Sequence, residues 1–250
     1  MNIIAAFDAA SHSYDGAAAL QTEVAAQLIA DAAELAPRAI LDIGCGTGLL
    51  TALAQQHWPE AAITAIDAAP AMLDAARAKL PSVRFVEADA AAIPLTEKFD
   101  LIVSSMVLHW LADPVAVLTQ WQTLLAPGGT LLVAVPVEGS LREWNALCER
   151  YAVRGRLWRF PSPELFGGEP KLRHHGISYA TAHAFLRSMK DTGAAVPDPE
   201  TAPTLPAVLR RLLLAAPKPF SATFTIATLS HRKAGAQTKT GPHCCEPASS

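Results

Sequence analysis

Residues 39 to 48 read Ala-Ile-Leu-Asp-Ile-Gly-Cys-Gly-Thr-Gly, a short apolar run followed by glycine at every second position. Glycine is needed where a chain turns sharply, or where a ligand must touch backbone with no Cβ in the way. A helical pattern follows at once, over Leu49–His57. In doubly wound folds, a turn between a parallel strand and a helix lies at the sheet edge where ligands bind. We therefore predict a ligand site around Gly44, Gly46 and Gly48.

From Ala39 to Val135, short β-rich runs alternate with helical patterns, which predicts a parallel sheet covered by helices. The predicted strands are Ala39–Ile43, Ala62–Ile66, Val83–Glu87, Phe99–Ser104 and Gly129–Val135, and the helices between them are Leu49–His57, Pro70–Lys79 and Pro114–Leu125. Outside this core, the sequence predicts helices at Ala17–Glu34, Leu141–Tyr151, Thr181–Lys190 and Ala207–Leu214, and strands at Leu172–Tyr179 and Phe220–Leu229.

The chain length of 250 residues suits a single α/β domain with additions. We expect that domain to cover residues 1–233, with a core at 38–135 and lid elements at 7–36 and 139–219. Residues 234–250 have the composition of a disordered tail.

Charge and hydropathy narrow the classes of function. The net charge of −3 argues against general nucleic-acid binding, because no positive field over the whole domain would attract phosphate. No apolar run is long enough to cross a bilayer, and the N-terminus lacks the features of a secretory signal, so we expect a cytoplasmic protein without membrane contact. The four cysteines and the pair His174-His175 lack metal-site spacing, so no metal is assigned.

Acidic residues lie at three consecutive strand ends: Asp42, Asp67 and Asp89. A carboxylate at the position of Asp67 could accept hydrogen bonds from both hydroxyls of a ribose. Each acid alone could simply cap a helix or turn, but that explanation is improbable for all three. A nicotinamide dinucleotide site is disfavoured, because its fingerprint would need glycine at position 49, where this chain has Leu49.

Several motifs together resemble those of class I S-adenosylmethionine-dependent methyltransferases. They are Leu41–Gly48, Ile66-Asp67, Asp89, Phe99–Ile102 and Leu125–Gly129. The resemblance implies a Rossmann-like α/β fold, with a seven-stranded, mostly parallel sheet flanked by helices, its last strand antiparallel, and an N-terminal and inserted helical lid. It also implies S-adenosylmethionine as the cofactor, held by Asp42, Gly44, Cys45, Gly46, Gly48, Asp67, Ala68, Met72, Asp89, Ala90 and Ser104. Core packing is the alternative role for Met72.

The flanking segments resemble the malonyl-acyl-carrier-protein O-methyltransferases of biotin synthesis. The matching segments are Phe7–Asp15, Ser104–Trp110, Gly139–Leu141, Arg159-Phe160 and Leu186–Ala194. This resemblance implies methyl transfer to the free carboxylate of a malonyl thioester, carried on acyl carrier protein or coenzyme A. The chain departs from the pattern at Asp8-Ala9, where a glycine and a basic residue are usual, and at His109, where glutamine is common.

A carboxylate acceptor requires no general base, because its pKa near 4 leaves it ionised at neutral pH. No acid–base dyad is expected, and the sequence offers none. Selecting a carboxylate requires cations or donors, for which the candidates are Tyr14, His109, Arg159, Arg187 and Lys190. Arg187 and Lys190 could equally form the solvated face of a helix, and Tyr14 could be a packing residue.

Two basic runs could dock an acidic carrier protein, although an ordinary surface is an equal alternative. They are Arg150, Arg154, Arg156 and Arg159, and Arg210-Arg211 with Lys218. Two other functions stay open. One is methyl transfer to a different small molecule, and the other is binding of S-adenosylmethionine without catalysis.

Overall fold

The computed structural model describes residues 3–153, 159–167, 169–195 and 205–235. The strands are β1 (Ala39–Ile43), β2 (Ala62–Asp67), β3 (Arg84–Glu87), β4 (Phe99–Ser105), β5 (Leu125–Pro136), β6 (Lys171–Tyr179) and β7 (Phe220–Arg232). The helices are α1 (Ile3–Ala10), α2 (Tyr14–Ala17), α3 (Ala19–Asp31), α4 (Leu49–His57), α5 (Pro70–Lys79), α6 (Pro114–Thr123), α7 (Arg142–Arg150), α8 (Ala182–Asp191) and α9 (Pro206–Ala215). Short 3-10 turns lie at Leu108–Trp110 and Pro163–Phe166.

The seven strands form one sheet in the order β3-β2-β1-β4-β5-β7-β6. The pairs from β3 to β5 are parallel, whereas β7 runs antiparallel to both β5 and β6. The predicted seven-stranded fold with an antiparallel last strand is confirmed. The chain order reverses between β1 and β4, and a crevice opens at the carboxyl ends of strands at such a point.

Alternate residues of the central strands point to opposite faces of the sheet, as the pleat requires. Ile40 and Leu101 pack with the apolar side of α3 and α4, while Leu41 and Ile102 pack with the core that includes Trp121 of α6. Both faces are therefore buried, which explains why these strands are apolar throughout.

The predicted core elements agree with the structure, and β1, α4 and α5 have the predicted bounds. The differences lie at the edges of the pattern. The helix expected at Ala17–Glu34 is the shorter α3, Ala19–Asp31, which begins after the fully buried Ala18 leaves helical geometry. Strand β5 starts at Leu125 rather than Gly129, because Leu125 already pairs with Phe99 of β4. The Pro-Gly-Gly segment forms a bulge between this pair and the next one, Leu101–Thr130. Helix α1 was not predicted.

The segment expected to be an inserted lid also contributes β6 to the sheet edge. Among the described residues, every helix is too short or too polar to span a bilayer. The tail predicted to be disordered, residues 234–250, lies almost wholly outside the described residues.

Candidate cofactor and acceptor site

The turn after β1 is built on left-handed glycines. Gly44, Gly46 and Gly48 have φ values of 72°, 54° and 87°. A Cβ on Gly44 would lie 2.2 Å from Cγ2 of Val107, so any other residue there would have to displace the Val107 side chain. The backbone N–H groups of Gly44 and Cys45 both donate to the carbonyl oxygen of Ile66, at 2.8 and 2.9 Å. The loop is thereby held across the end of β2.

Asp67 fixes this loop from the end of β2. Its Oδ2 accepts a hydrogen bond from the N–H of Gly46 at 2.8 Å, and its Oδ1 accepts one from the N–H of Ala69 at 2.9 Å. Burial raises the pKa of the carboxyl, and the backbone donors partly oppose that rise. Each carboxylate oxygen keeps a lone pair for a further donor.

A cavity of about 350 Å³ opens beside this loop. Its charged lining residues in the described chain are Asp67 and Asp89, both acidic, and the rest of the wall is mostly apolar. Seven of the eleven residues predicted to hold the cofactor line it: Gly44, Gly46, Asp67, Ala68, Met72, Asp89 and Ala90. We call it the cofactor cavity. Its acidic, partly apolar wall suits a cationic ligand with a flat apolar part.

The remaining four predicted cofactor residues lie elsewhere. Asp42 and Cys45 line a small side cavity of about 30 Å³ against the same glycine loop. Gly48 lines neither cavity, since it turns the chain into α4. Ser104 is also placed differently than predicted, because it is fully buried and its hydroxyl donates to the carbonyl oxygen of Ile43 at 2.8 Å. Its neighbour Ser105 lines both cavities instead, as strand alternation requires.

Three buried side-chain atoms in the described chain have no hydrogen-bond partner: Asp42 Oδ1, Ser105 Oγ and His109 Nδ1. All three belong to residues that line cavities at this one edge of the sheet. A buried polar group left unpaired costs about 1–3 kcal/mol, so proteins seldom retain one without a use. Their grouping marks this edge as a place where ligand atoms complete the structure.

Of these three residues, Asp42 has a buried carboxyl whose ionised form is strongly disfavoured. Its Oδ2 accepts a hydrogen bond from the Thr51 hydroxyl at 2.6 Å. Burial raises the pKa of its carboxyl to about 7, the Thr51 hydrogen bond lowers it, and the nearby charge of Asp67 raises it further. A cationic ligand group in the side cavity would stabilise the ionised form.

A second cavity, of about 50 Å³, adjoins the first. We call it the acceptor cavity. The two cavities share four lining residues: Phe7, Tyr14, Met106 and Trp110. Met106 has a φ of 62°, a conformation that costs a non-glycine residue roughly 1–3 kcal/mol and is found at functional sites. Molecules bound in the two cavities would meet at these four side chains.

The polar groups of the acceptor cavity are neutral. His109, Tyr14, Gln21, Tyr179 and Ser188 line it, and no lysine, arginine or acid does so among the described residues. Burial raises the pKa of the Tyr14 phenol, with the charges of Asp67 and Asp15 adding to the effect, so Tyr14 remains a hydrogen-bond donor at neutral pH.

The cationic side chains predicted to contact the acceptor do not line the acceptor cavity. Arg187 and Lys190 are exposed on α8 and line neither cavity, whereas Ser188 and Met189 of the same helix face inward. Arg159 lines a separate open cleft with Glu138 and Glu149. Helical spacing from the buried Phe185 and Met189 would have placed Arg187 and Lys190 on the outer face. Ser105 and Met106 lie within the matching segment Ser104–Trp110 but were not assigned to the site, and no sequence signal pointed to Tyr179.

The N-terminal helices close over both cavities. Asp8 of α1 accepts a hydrogen bond from the N–H of Ala71 at 2.7 Å and so caps α5. Asp15 of α2 accepts one from the Thr47 hydroxyl at 2.5 Å and forms an ion pair with Lys79. The Ser13 hydroxyl donates to the carbonyl oxygen of Asp191 in α8 at 2.8 Å. We call residues 3–17 the N-terminal lid. The unusual Asp8 thus has a structural role.

Comparison with known proteins agrees with this architecture. The family model for the methyltransferase domain matches residues 40–129. The solved structure of the YcgJ protein from Bacillus subtilis has the same fold, with a TM-score of 0.59 at 18% identity, covering 85% of this chain and 99% of that one. Within the described residues, no group of three or more His, Cys, Asp and Glu side chains could hold a metal ion.

Two curated relatives match over longer stretches. Trans-aconitate 2-methyltransferase of Methylobacterium radiotolerans is 39% identical over 158 residues, which are 58% of this chain and 61% of that protein. Malonyl-[acyl-carrier protein] O-methyltransferase of Serratia marcescens is 35% identical over 203 residues, 77% of this chain and 78% of that protein. The chain belongs to the class I S-adenosylmethionine-dependent methyltransferases, and S-adenosylmethionine is its cofactor.

Proposed function

We propose that this protein transfers a methyl group to the free carboxylate of a malonyl thioester, on acyl carrier protein or coenzyme A, and that the ester primes pimeloyl synthesis for biotin. The observation that carries the proposal is the acceptor cavity, which adjoins the cofactor cavity and is lined by neutral donors and apolar groups. Such a cavity suits one carboxylate on an otherwise neutral chain. The relative from Serratia marcescens, named for this acceptor, supports the same choice.

The cofactor residues can be assigned to parts of S-adenosylmethionine by their chemistry. The free lone pairs of Asp67 would accept hydrogen bonds from the ribose hydroxyls. Asp89, the other acid of the cofactor cavity, would accept a hydrogen bond from the adenine amino group. The unpartnered Oδ1 of Asp42 would accept the methionine ammonium. Met72 is fully buried in the cavity wall and offers the adenine an apolar surface.

When bound, S-adenosylmethionine supplies a methyl group on a sulfonium, which is a good leaving group. The acceptor carboxylate is already ionised at neutral pH, so the chain needs no base and no proton moves. The contribution of the protein is placement: Tyr14, Met106 and Trp110 border both cavities and would hold the two reactants against each other. Correct placement of this kind is worth roughly 7–11 kcal/mol of the barrier.

Product analysis tests the proposal. The protein is incubated with methyl-labelled S-adenosylmethionine and either malonyl-carrier protein, malonyl-coenzyme A or acetyl-carrier protein, and the products are identified by mass spectrometry. We expect a base-labile methyl ester on both malonyl thioesters and none on the acetyl form, which has no free carboxylate. A product on acetyl-carrier protein, or none on either malonyl thioester, would reject the proposal.

Methylation of trans-aconitate is the second candidate, because the relative from Methylobacterium radiotolerans has the higher identity over a shorter stretch. That acceptor carries three carboxylates. Two of them would have to be left without a cation in the described acceptor cavity, which is costly for a buried charge. The cavity therefore favours the malonyl thioester.

A further inference from the structure

His109 occupies a fixed position in the wall of the acceptor cavity. It lies in the 3-10 turn Leu108–Trp110, which the fully buried Leu108 anchors to the core. Its ring packs against Trp110 at a centroid distance of 4.5 Å and Phe160 at 5.9 Å. The imidazole is therefore held in place by this packing.

The Nδ1 atom of this ring is buried and has no hydrogen-bond partner in the part of the chain that the structure describes. Burial lowers the pKa of His109 to about 3, so the ring is neutral at physiological pH and carries one N–H. No charged side chain among the described residues lines the same cavity. A buried ring nitrogen held in one orientation and without a protein partner requires a ligand atom to complete its hydrogen bonding.

We propose that His109 is the specificity-determining residue of the acceptor cavity, and that its Nδ1–H donates a hydrogen bond to the carboxylate oxygen that is not methylated. This inference rests on the proposed function and names the group that recognises the substrate. Holding one oxygen at His109 directs the other toward the boundary formed by Met106 and Trp110.

A neutral donor has two physical advantages over an arginine here. A guanidinium would bind both carboxylate oxygens and reduce their nucleophilicity, whereas a single N–H leaves one oxygen free. The hydrogen bond is also stronger to the charged carboxylate than to the neutral ester formed from it. The product is therefore held less tightly than the substrate.

Two variants separate hydrogen bonding from packing. His109→Gln keeps a neutral N–H donor, while His109→Leu removes every donor and keeps an apolar side chain. His183→Gln is the matched control, because His183 is exposed on α8. The dissociation constant for S-adenosylhomocysteine reports whether each variant retains its fold and cofactor site.

We expect His109→Leu to lower kcat/KM for malonyl-coenzyme A by about 10- to 100-fold, the range for losing a hydrogen bond to a charged group. His109→Gln should stay within about 5-fold of the wild type, and all variants should bind S-adenosylhomocysteine normally. The proposal would be overturned if His109→Leu kept the kcat/KM of the wild type. It would also be overturned if both variants lost kcat/KM equally, because the loss would then come from altered packing and not from the hydrogen bond.

A second readout does not depend on turnover. In protein labelled with nitrogen-15 histidine, adding malonyl-coenzyme A together with S-adenosylhomocysteine should shift the Nδ1 resonance of His109 but not that of His183. An unchanged His109 signal would overturn the proposal. If the wild type binds S-adenosylhomocysteine but methylates no malonyl thioester, the proposed function fails, whereas an active wild type with an unaffected His109→Leu variant rejects only the role of His109.

Discussion

Asp42 is the last residue but one of β1, with one carboxylate oxygen bonded to the Thr51 hydroxyl and the other buried without a partner among the described residues. Burial raises its pKa from 3.8 to about 7. Since the folded pKa lies above the unfolded one, the stabilising effect of the proton is complete below about pH 4 and is lost as the pH rises through about 7. The ligand-free protein therefore carries a destabilising charge at this position at neutral and higher pH.

Replacing Asp42 with asparagine should stabilise the ligand-free protein at pH 8 and have little effect at pH 4. The gain should reach at most roughly 4.5 kcal/mol, from about 1.4 kcal/mol for each unit between the pKa of 3.8 and that of about 7. Binding of S-adenosylhomocysteine should weaken at least about 10-fold, because the charged partner of the ammonium is lost. Thermal unfolding at both pH values and calorimetric titration measure these effects. Asp74→Asn, at an exposed position, is the control and should change neither stability nor binding. If Asp42→Asn were less stable than the wild type at pH 8, this explanation would be contradicted.

Gly46 permits a test of the loop itself. Its φ of 54° makes alanine cost roughly 1–2 kcal/mol, but an added Cβ would meet no atom of the described residues within 4 Å. Gly46→Ala should therefore fold and yet bind S-adenosylhomocysteine at least about 10-fold more weakly, since the methyl group projects from a residue that lines the cofactor cavity. Gly16→Ala, in open space on α2, is the matched control and should bind normally. Equal affinity in both variants would place the cofactor elsewhere.

At the scale of elements, a few polar contacts join the N-terminal lid to three parts of the molecule. Asp8 contacts α5, Asp15 contacts the glycine loop and Lys79, and Ser13 contacts α8. The Asp15–Lys79 pair is nearly half exposed, so its share of global stability is at most about 1 kcal/mol. Its main effect is on how readily the lid opens.

Asp15→Asn should raise the dissociation rate of S-adenosylhomocysteine about 3- to 10-fold, because the lid loses its ion pair beside the cofactor cavity. The melting temperature should change by no more than about 4 °C, which corresponds to the loss of about 1 kcal/mol. Stopped-flow displacement measures the rate, and Asp74→Asn controls for loss of a surface carboxylate. An unchanged dissociation rate would show that the lid contact does not govern release.

The elements that follow hydrophobic periodicity could be predicted from sequence, and those held by distant contacts could not. Strands β1 and β2 and helices α4 and α5 are specified by local apolar patterns and by glycine and proline positions. Helix α1 is held by Asp8 on α5 and by Phe7 against Trp110, contacts more than sixty residues away in sequence. Local pattern carries no information about such partners.

The cofactor part of the candidate site could likewise be predicted from sequence, whereas the acceptor part could not. The cofactor loop and its acids lie at strand ends, so topology alone groups Asp67 and Asp89. The acceptor cavity combines the lid, the turn after β4 and α8, and its composition depends on the rotation of α8. Helix α8 is rotated about its axis so that Phe185 and Met189 are buried and Arg187 and Lys190 are exposed to solvent. The similarity of motifs gave no information about this rotation.

At the scale of the whole molecule, basic groups on α9 stand out against a net charge of −3. Arg210 and Arg211 are exposed there, as is Lys218 beyond the helix, while Arg154 and Arg156 of the other basic run lie outside the described residues. An acidic carrier protein would be attracted to this surface, and the attraction would weaken as salt is added.

The double charge reversal Arg210→Glu with Arg211→Glu should raise KM for malonyl-carrier protein about 5- to 20-fold and leave KM for malonyl-coenzyme A within about 2-fold. Turnover of the carrier-linked substrate should also be the more salt-sensitive of the two in the wild type. Steady-state kinetics at 50 and about 300 mM salt measure both effects. Parallel changes for the two substrates would exclude carrier docking on α9.

The most direct test of the account is the ratio of kcat/KM for malonyl-coenzyme A to that for trans-aconitate, measured on one preparation. The described acceptor cavity offers neutral donors to one carboxylate and no cation to the additional carboxylates of the second acceptor. Because each unpaired buried charge is costly, the ratio should exceed about 100 in favour of malonyl-coenzyme A. A ratio near or below one would contradict the account and make trans-aconitate, or an acceptor like it, the substrate.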